Sequence, residues 1–360
     1  MKAAVLEKLG SPLVVRELPD PVMGTGEVIV DMAATGVLAY AGDVYSGKRP
    51  YLLELPIVPG AGGVGRIAAV GPDATHLKVG DWVSCDPTVR SRDKPVAPDI
   101  ILQGLTAGTP EALPMQRYYH DGSYAQKLRT PTENVTPIGE IDAADAARWV
   151  GLGSLTVPYG GWLAGGLKAG QVVLVNGATG AFGSAGVAVA LAMGARAVIA
   201  TGRNQAALDE LRRRFGPRVI PVRMAVEEET DRRAMLAAAP GPIDCVLDLL
   251  PPAATPAQVR AALMTVRPYG TVVLMGGLGM QPEIQLPYSW LMRFCITVRG
   301  QWMFPREALQ SMVGMIRAGL IDLGQHKVTR FPLGQVNDAV AHAAAHAGPF
   351  SRTVLDLLAG

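Results

Sequence analysis

The sequence predicts an α/β protein in which a doubly wound parallel sheet is joined to an irregular β barrel. Three observations carry this expectation. Residues 171–203, QVVLVNGATGAFGSAGVAVALAMGARAVIATGR, read as strand, glycine turn, helix and strand. From Ala143 onward, apolar runs of strand length alternate with helical stretches, the pattern of a parallel sheet. Residues 1–140 instead carry short β-like runs between Pro and Gly turns, with almost no helical periodicity. With 360 residues and 49% hydrophobic content, the chain is long enough for two domains, each with its own core.

The 171–203 stretch organises the rest. Gln171–Val175 is a nearly all-apolar β-branched run, as expected of a strand buried on both faces. A buried helix follows from Ala181 to Met193, and a second strand at Ala197–Thr201. The turn reads G-x-x-G-x-x-G, with Gly177, Ala178, Thr179, Gly180, Ala181, Phe182 and Gly183 as candidate cofactor-binding residues. Glycines let the backbone turn sharply and approach a pyrophosphate, and the free N–H groups of the helix N-terminus face that anion. A tight turn that binds nothing would need similar glycines. Strand before, helix after and a second strand on schedule favour a Rossmann dinucleotide site.

The end of the second strand bears on which dinucleotide. An NAD site carries Asp or Glu about 20 residues past the glycines, to accept from the ribose hydroxyls. Here the chain reads Thr201-Gly202-Arg203-Asn204, with no acid. A carboxylate would repel a 2′-phosphate, whereas Arg203 can pair with it bidentately and Thr201 and Asn204 can donate to it. The expected cofactor is therefore NADP(H). Asn204 can equally cap the helix QAALDELRRRF with Arg203 solvated, and both can hold at once.

In chain order, the barrel strands are expected at Lys2–Leu6, Val14–Glu17, Glu27–Met32 and Gly65–Val70. Residues 86–120 read as a long irregular loop, a length that calls for a function or disorder, with Tyr118, Tyr119 and His120 as possible cleft-lining residues. VLVNG, AVIAT, RVIPV, IDCVLDLL and TVVLMGG are the successive parallel strands, with helices such as 205–215 and 256–266 between them. The turn after Thr271–Met275 lies at a strand's C-terminal end, where an open α/β sheet binds its ligand. After Phe304 the chain leaves the sheet, and Arg306–Leu320 reads as an amphipathic helix. The expected division is 1–145 with 300–360 as one domain and 146–299 as the other.

Composition excludes several classes. The formal net charge is +2, with no basic tract that would argue for nucleic acid or a membrane surface. The Arg212–Arg214 run reads as a solvated helix face. Mean hydropathy is +0.22, yet the most apolar window, 184–201, is broken by Gly186, Gly194 and Arg196, so no transmembrane span is expected. Glu7 and Lys8 stand where a signal peptide needs its apolar core, and a cytoplasmic protein is expected. The three cysteines, Cys85, Cys245 and Cys295, are far apart and form neither a disulfide framework nor a C-x-x-C site.

The ordered set GEVIVDMAATGV (26–37), PGAGGVGRIAAVG (59–71), VGDWVSC (79–85), DGSYAQKLRTP (121–131) and the GATGAFG turn resembles the medium-chain dehydrogenase/reductase superfamily. The resemblance runs nearly end to end. It implies a GroES-like catalytic domain, a Rossmann domain, and a closing stretch that returns to the first. It also implies that Asp248–Pro251, with Leu249 and Leu250, flanks the adenine side, and that Gly276–Gly279, with Gly277 and Leu278, lies beside the nicotinamide. The run 296–303 resembles the family's last Rossmann strand, which pairs across a homodimer.

The departures from the family pattern bear on chemistry. Where the family's zinc enzymes have G-V-C and P-G-H-E, this chain has Gly36-Val37-Leu38 and Pro59-Gly60-Ala61-Gly62, and their third zinc cysteine falls on Leu152. Catalytic zinc needs about three N or S ligands, so no metal is expected; residues 86–120 also contain no cysteine for a structural zinc. His342 and His346 are spaced i, i+4 in an Ala-rich helix without the Glu of H-E-x-x-H. The pattern resembles the zinc-independent branch of quinone, enone and enoyl thioester reductases, although their Asn is Leu38 here. Tyr40 stands at the zinc enzymes' Ser/Thr proton-relay position, where a phenol can donate to an oxyanion or enolate. Tyr51 is two positions from a tyrosine of enoyl and quinone reductases. The expected function is NADPH-dependent hydride transfer to a small quinone, enone or enal. A metal-free carbonyl reductase or alcohol dehydrogenase, and a non-catalytic NADPH-binding scaffold or sensor, are the alternatives.

Overall fold

A computed structural model describes residues 1–277 and 283–358. The chain forms two compact units, one of Met1–Gly153, His326–Ala347 and the stretch from Ser351, the other of Ser154–Gln325 with Gly348–Phe350. The boundaries expected at 145/146 and 299/300 thus fall later on both sides. The helix Gly151–Ala164 spans the first boundary. Past the second, Phe304 packs into the second unit, where a Cβ on Gly160 would lie 2.6 Å from the Phe304 side chain and 2.5 Å from the Met303 carbonyl oxygen. The expected Arg306–Leu320 helix runs over Ala308–Arg317 and buries Ala308, Leu309 and Met312.

In the first unit a seven-stranded mixed sheet runs in the order Val135–Pro137, Trp82–Cys85, Gly63–Val70, Glu27–Val37, Ser351–Asp356, Lys327–Pro332, with Lys127–Pro131 also pairing with Glu27–Val37. The strand Glu27–Val37 holds the sheet together, because three others pair with it. Its inward side chains Val28, Val30 and Met32 meet Ile67, Val83, Leu128 and Val135 in one apolar cluster. Residues 86–120 are not the irregular loop expected. They fold into a three-stranded antiparallel sheet of Thr88–Arg90, Ile100–Leu102 and Thr106–Ala107, followed by the helix Leu113–Tyr118. Val89, Ile101, Ala107, Ala112 and Tyr119 give this lobe a small core of its own. Tyr119 is core, Tyr118 stacks under Arg129, and His120 pairs with Asp121 at 2.9 Å.

In the second unit six parallel strands are labelled in chain order: β1 (Val172–Asn176), β2 (Ala197–Gly202), β3 (Val219–Arg223), β4 (Ile243–Asp248), β5 (Val266–Leu274) and β6 (Thr297–Gly300). Their spatial order, β3-β2-β1-β4-β5-β6, is that of a dinucleotide-binding Rossmann sheet. The helices α1 (Ala181–Ala192), α2 (Gln205–Phe215), α3 (Glu228–Ala238) and α4 (Pro256–Leu263) connect the strands. Every residue of β1 and β2 is buried, which explains their unbroken apolar sequence: both faces are covered by helices. Among the described residues no helix is long and apolar enough to cross a membrane.

Candidate functional site

The glycine turn sits where the strand order reverses, between β1 and α1. Gly177 has φ +85°, open to glycine but costly for other residues. Gly183 allows the closest approach, since a Cβ there would stand 2.0 Å from the Gly177 carbonyl oxygen. No side chain caps α1, whose first intrahelical bond runs from the Ser184 amide to the Gly180 carbonyl. The N–H groups of Ala181, Phe182 and Gly183 therefore point out of the helix end without an intrahelical partner. Gly180 and Ala181 are exposed, Phe182 half-buried and Ala178 buried. The turn is a cradle that any side chain at 183 would fill, which fits a pyrophosphate.

A buried polar chain holds this turn from beneath. Asp248, at the end of β4, accepts from Asn176 Nδ2 at 2.8 Å, and Asn176 Oδ1 accepts from Thr201 Oγ1 at 2.9 Å. Thr201 Oγ1 in turn accepts from the Gly177 amide at 3.3 Å. Burial pushes the Asp248 carboxyl up to about 7, against the opposing pull of its Asn176 hydrogen bond. This network corrects the reading of Thr201 as a phosphate donor. Thr201 is fully buried, and its hydroxyl is committed to fixing the turn. Leu249 and Leu250 lie against Gly177, and Gly276 is packed so closely that its Cβ would lie 2.2 Å from the Leu250 carbonyl oxygen. The Gly277 amide donates to that same oxygen at 3.0 Å. Residues 177, 249–250 and 276–277 thus meet at the C-terminal edge of the sheet; Leu278 lies outside the described residues.

At the end of β2, Gly202 is buried and Arg203 and Asn204 are exposed. Asn204 is the N-cap of α2, its Oδ1 accepting from the Ala207 amide at 3.2 Å. Its oxygen is spent on the helix and only its Nδ2 stays available. Arg203 makes no hydrogen bond or ion pair among the described residues. Arg223, opposite Gly202 in the β2–β3 register and also exposed, is a second such cation that the sequence reading missed. The Thr179 side chain occupies the space over Gly202, where a Cβ would stand 2.4 Å from Thr179 Cγ2.

In the first unit the structure brings Tyr40 and Tyr51 together, edge to face with ring centroids 6.4 Å apart. Between them lies Arg49, which the sequence reading passed over. Its guanidinium carbon is 4.2 Å from the Tyr40 ring centroid and 5.0 Å from that of Tyr51. Burial pushes the Tyr40 phenol well above its usual range; the Tyr51 hydroxyl adds to this and the Arg49 charge pulls against it. Tyr45 is buried beside Tyr124, whose hydroxyl points to the Gly36 carbonyl at 3.5 Å and is pushed up to about 12 by burial. Thr35 Oγ1 and Ser123 Oγ lie 2.6 Å apart, each within reach of the Gly62 carbonyl, so that one hydroxyl donates to the other and the other to the carbonyl. Leu38 and Ala61 are themselves apolar, and the hydroxyls of Thr35 and Ser123 serve the carbonyl of Gly62, the residue after Ala61. Leu152 is fully buried, and none of these three side chains carries a nitrogen or sulfur donor. This set does not fit a zinc ion. His342 and His346 stack at 4.0 Å on the helix Val336–Ala345, and no cluster of three potential metal ligands occurs among the described residues.

Residues 24–140 match the family model for the alcohol dehydrogenase GroES-like domain, and residues 181–318 match that for zinc-binding dehydrogenases. The chain belongs to the medium-chain dehydrogenase/reductase superfamily. It is 25% identical over 346 residues to alcohol dehydrogenase 1 of Neurospora crassa, covering 93% of this chain and 92% of that protein. Two solved structures are alike in fold, each covering 99% of this chain. A protein from E. coli CFT073 described as a short chain alcohol dehydrogenase, complexed with NADH, gives a TM-score of 0.79 at 21% identity and is covered over 99% of its length. A zinc-binding dehydrogenase from Sinorhizobium meliloti 1021 bound to NADP gives 0.78 at 18%, with 98% of its length covered. This medium-chain dehydrogenase is thus an oxidoreductase of alcohol dehydrogenase type with the two-domain α/β fold of its superfamily.

Proposed function

We propose that the protein is an NADPH-dependent, zinc-independent reductase of small carbonyl-conjugated compounds: quinones, enones or enals. The observation that carries this reading is that Leu38, Ala61 and Leu152, at the positions the family resemblance gives to zinc ligands, offer only carbon, while Tyr40, two residues from Leu38, stands against Tyr51 and Arg49. When bound, the nicotinamide supplies a hydride, two electrons and a proton's mass, to the electrophilic carbon of the substrate. The C=C pair then forms the C=C bond of an enolate and the C=O pair moves onto the oxygen, and this chain's part is to meet that charge. We assign that part to Tyr40. Its elevated phenol stays protonated at every working pH, so it donates to the developing enolate and gives up or relays the proton that completes reduction. Hydride addition to a conjugated system spreads charge from carbon to oxygen, which hydrogen-bond donors can stabilise without a Lewis acid.

Gly202 in place of an acid and the unpaired Arg203 and Arg223 support NADP(H). The alcohol dehydrogenase name of the Neurospora relative favours a second reading, metal-free carbonyl reduction or alcohol oxidation at the same tyrosine. The subunit arrangement we propose is a homodimer through 296–303. β6 is an edge strand whose residues are largely exposed, beside the exposed side chains of Tyr288, Met292, Phe294 and Trp302, and pairing two such edges removes the liability. The deciding experiment is NADPH oxidation against quinones, enones and simple aldehydes. Turnover of the conjugated compounds is expected. Turnover of simple aldehydes alone would transfer the assignment to carbonyl reduction, and none at all would overturn both.

A further inference from the structure

Arg49 stands out among the polar side chains of the first unit. Its charge is permanent, its side chain is half-buried, and its Nε is buried with no hydrogen-bond partner. Among the described residues it enters no ion pair. A buried guanidinium N–H without an acceptor is costly, and contact with two aromatic rings offsets only part of that cost. The geometry of the stack matters more than its strength. Tyr40 and Tyr51 lie 4.2 and 5.0 Å from the guanidinium carbon, ring contacts that leave its hydrogen-bonding capacity unused. The donors of a guanidinium point outward in its plane, in a fork matched to a carboxylate. The backbone holds this arrangement on both sides, with the Arg49 amide donating to the Asp43 carbonyl at 2.9 Å and the Tyr51 amide to the Arg49 carbonyl at 2.8 Å.

We infer that Arg49, set against the rings of Tyr40 and Tyr51, recognises a carboxylate on the substrate. This rests on Tyr40 as proton donor in the function proposed above, and it narrows the substrate to a small unsaturated or oxo acid. One guanidinium and two phenols match one negative charge. Because Arg49 lies against the Tyr40 ring, the carboxylate and the reducible group sit within a few atoms of each other. The proton donor and the selectivity group then share one wall, and the same contact that orients the substrate holds the phenol in place.

The test pairs binding with turnover. In the binding arm, pentanoate and pentanamide are titrated calorimetrically into the protein, free and saturated with NADPH. Wild type is expected to favour pentanoate by roughly tenfold to a hundredfold, the effect of a charge-assisted hydrogen bond. Arg49→Met abolishes the preference, and Arg49→Lys, which keeps the charge but not the fork, retains part of it. In the turnover arm, the ratio of kcat/KM for 4-oxo-2-pentenoate to that for its methyl ester falls by the same factor in Arg49→Met. NADPH titration by fluorescence, read in the other unit, shows that the variants are folded. Equal binding of acid and amide by wild type, or a preference that survives Arg49→Met, overturns the inference. If neither acid nor ester is reduced, the reductase reading fails while the calorimetric arm still decides on Arg49.

Discussion

The two units keep different things. In the Rossmann unit the functional turn is made of backbone, and its spacing is enforced by contact: side chains at Gly183 or Gly276 would lie 2.0 and 2.2 Å from carbonyl oxygens. The first unit has an equally tight glycine frame. Cβ atoms on Gly104 and Gly122 would lie 2.4 and 2.2 Å from the Gly60 carbonyl oxygen. The chemistry we propose for it, however, is carried by side chains: Leu38, Ala61 and Leu152 at the positions that the family resemblance gives to zinc ligands, and Tyr40, Arg49 and Tyr51, which pack together. Backbone chemistry cannot change without breaking the fold. Side-chain chemistry can, so this is where we propose that the protein departs from the family's zinc enzymes.

The largest expected effect tests the side-chain half of that contrast. Tyr40→Phe keeps the ring over Arg49 and removes only the hydroxyl. If Tyr40 supplies the proton, single-turnover reduction slows by about a hundredfold or more. The phenol is held well above its usual range by burial, so the wild-type rate should show no loss of this proton between pH 6 and 9. An unchanged rate in Tyr40→Phe would assign the proton to water.

Next in size is the cofactor preference, where exposed side chains of the Rossmann unit are proposed to meet the ligand. Arg203→Ala should weaken NADPH by roughly tenfold to a hundredfold and scarcely change NADH, since a charge-assisted hydrogen bond is worth about 1.5–3 kcal/mol. Equal weakening of both cofactors would make Arg203 a solvated residue. Introducing the acid of an NAD site is harder than the sequence suggests. A Cβ on Gly202 meets Thr179 Cγ2 at 2.4 Å and its Oγ1 at 2.7 Å. Gly202→Asp alone should therefore weaken both dinucleotides, and Thr179→Ala combined with it should restore NADH.

How much was legible follows the same division. The six-stranded sheet and its glycine turn could be read because buried parallel strands write continuous apolar runs and a tight turn demands glycine. The lobe at 86–120 was missed because its strands have only two or three residues, too short for a period, and its Pro and Gly content imitates a loop. Thr201 was misassigned because its position in sequence matches a phosphate donor, while its rotamer points to Asn176. Arg49 left one signal, an arginine between two tyrosines, but the 6.4 Å approach of Tyr40 and Tyr51 depends on how 41–50 folds back. No spacing rule encodes that.

A smaller effect probes the support under the turn. Asp248 has its carboxyl pushed up to about 7 by burial, against about 3.9 in an unfolded chain. A raised folded value means that stability is fully present below about pH 4 and is lost as pH rises through about 7. Asp248→Asn keeps an oxygen for Asn176 Nδ2 and removes the charge. It should stabilise the protein more at pH 8 than at pH 5, by on the order of 2–3 kcal/mol, measured by denaturant melts at the two pH values. The same gain at both would mean that the carboxyl titrates normally.

The smallest expected effect is none, and it bears on the comparison most directly. Chelators should leave both activity and melting temperature unchanged, and elemental analysis of the purified protein should find no stoichiometric zinc. Zinc needs about three nitrogen or sulfur ligands around an open position. Leu38 and Ala61 offer carbon only, and Leu152 is fully buried. The nearest hydroxyls, on Thr35 and Ser123, are already satisfied by each other and by the Gly62 carbonyl. Cys85 pairs with Gly63 across the sheet and is buried, a lone sulfur where zinc needs about three nitrogen or sulfur ligands. Zinc present at one per chain and lost together with activity would mean that ligands come from elsewhere in the fold, and Tyr40 would then lose its place as the group that meets the developing charge.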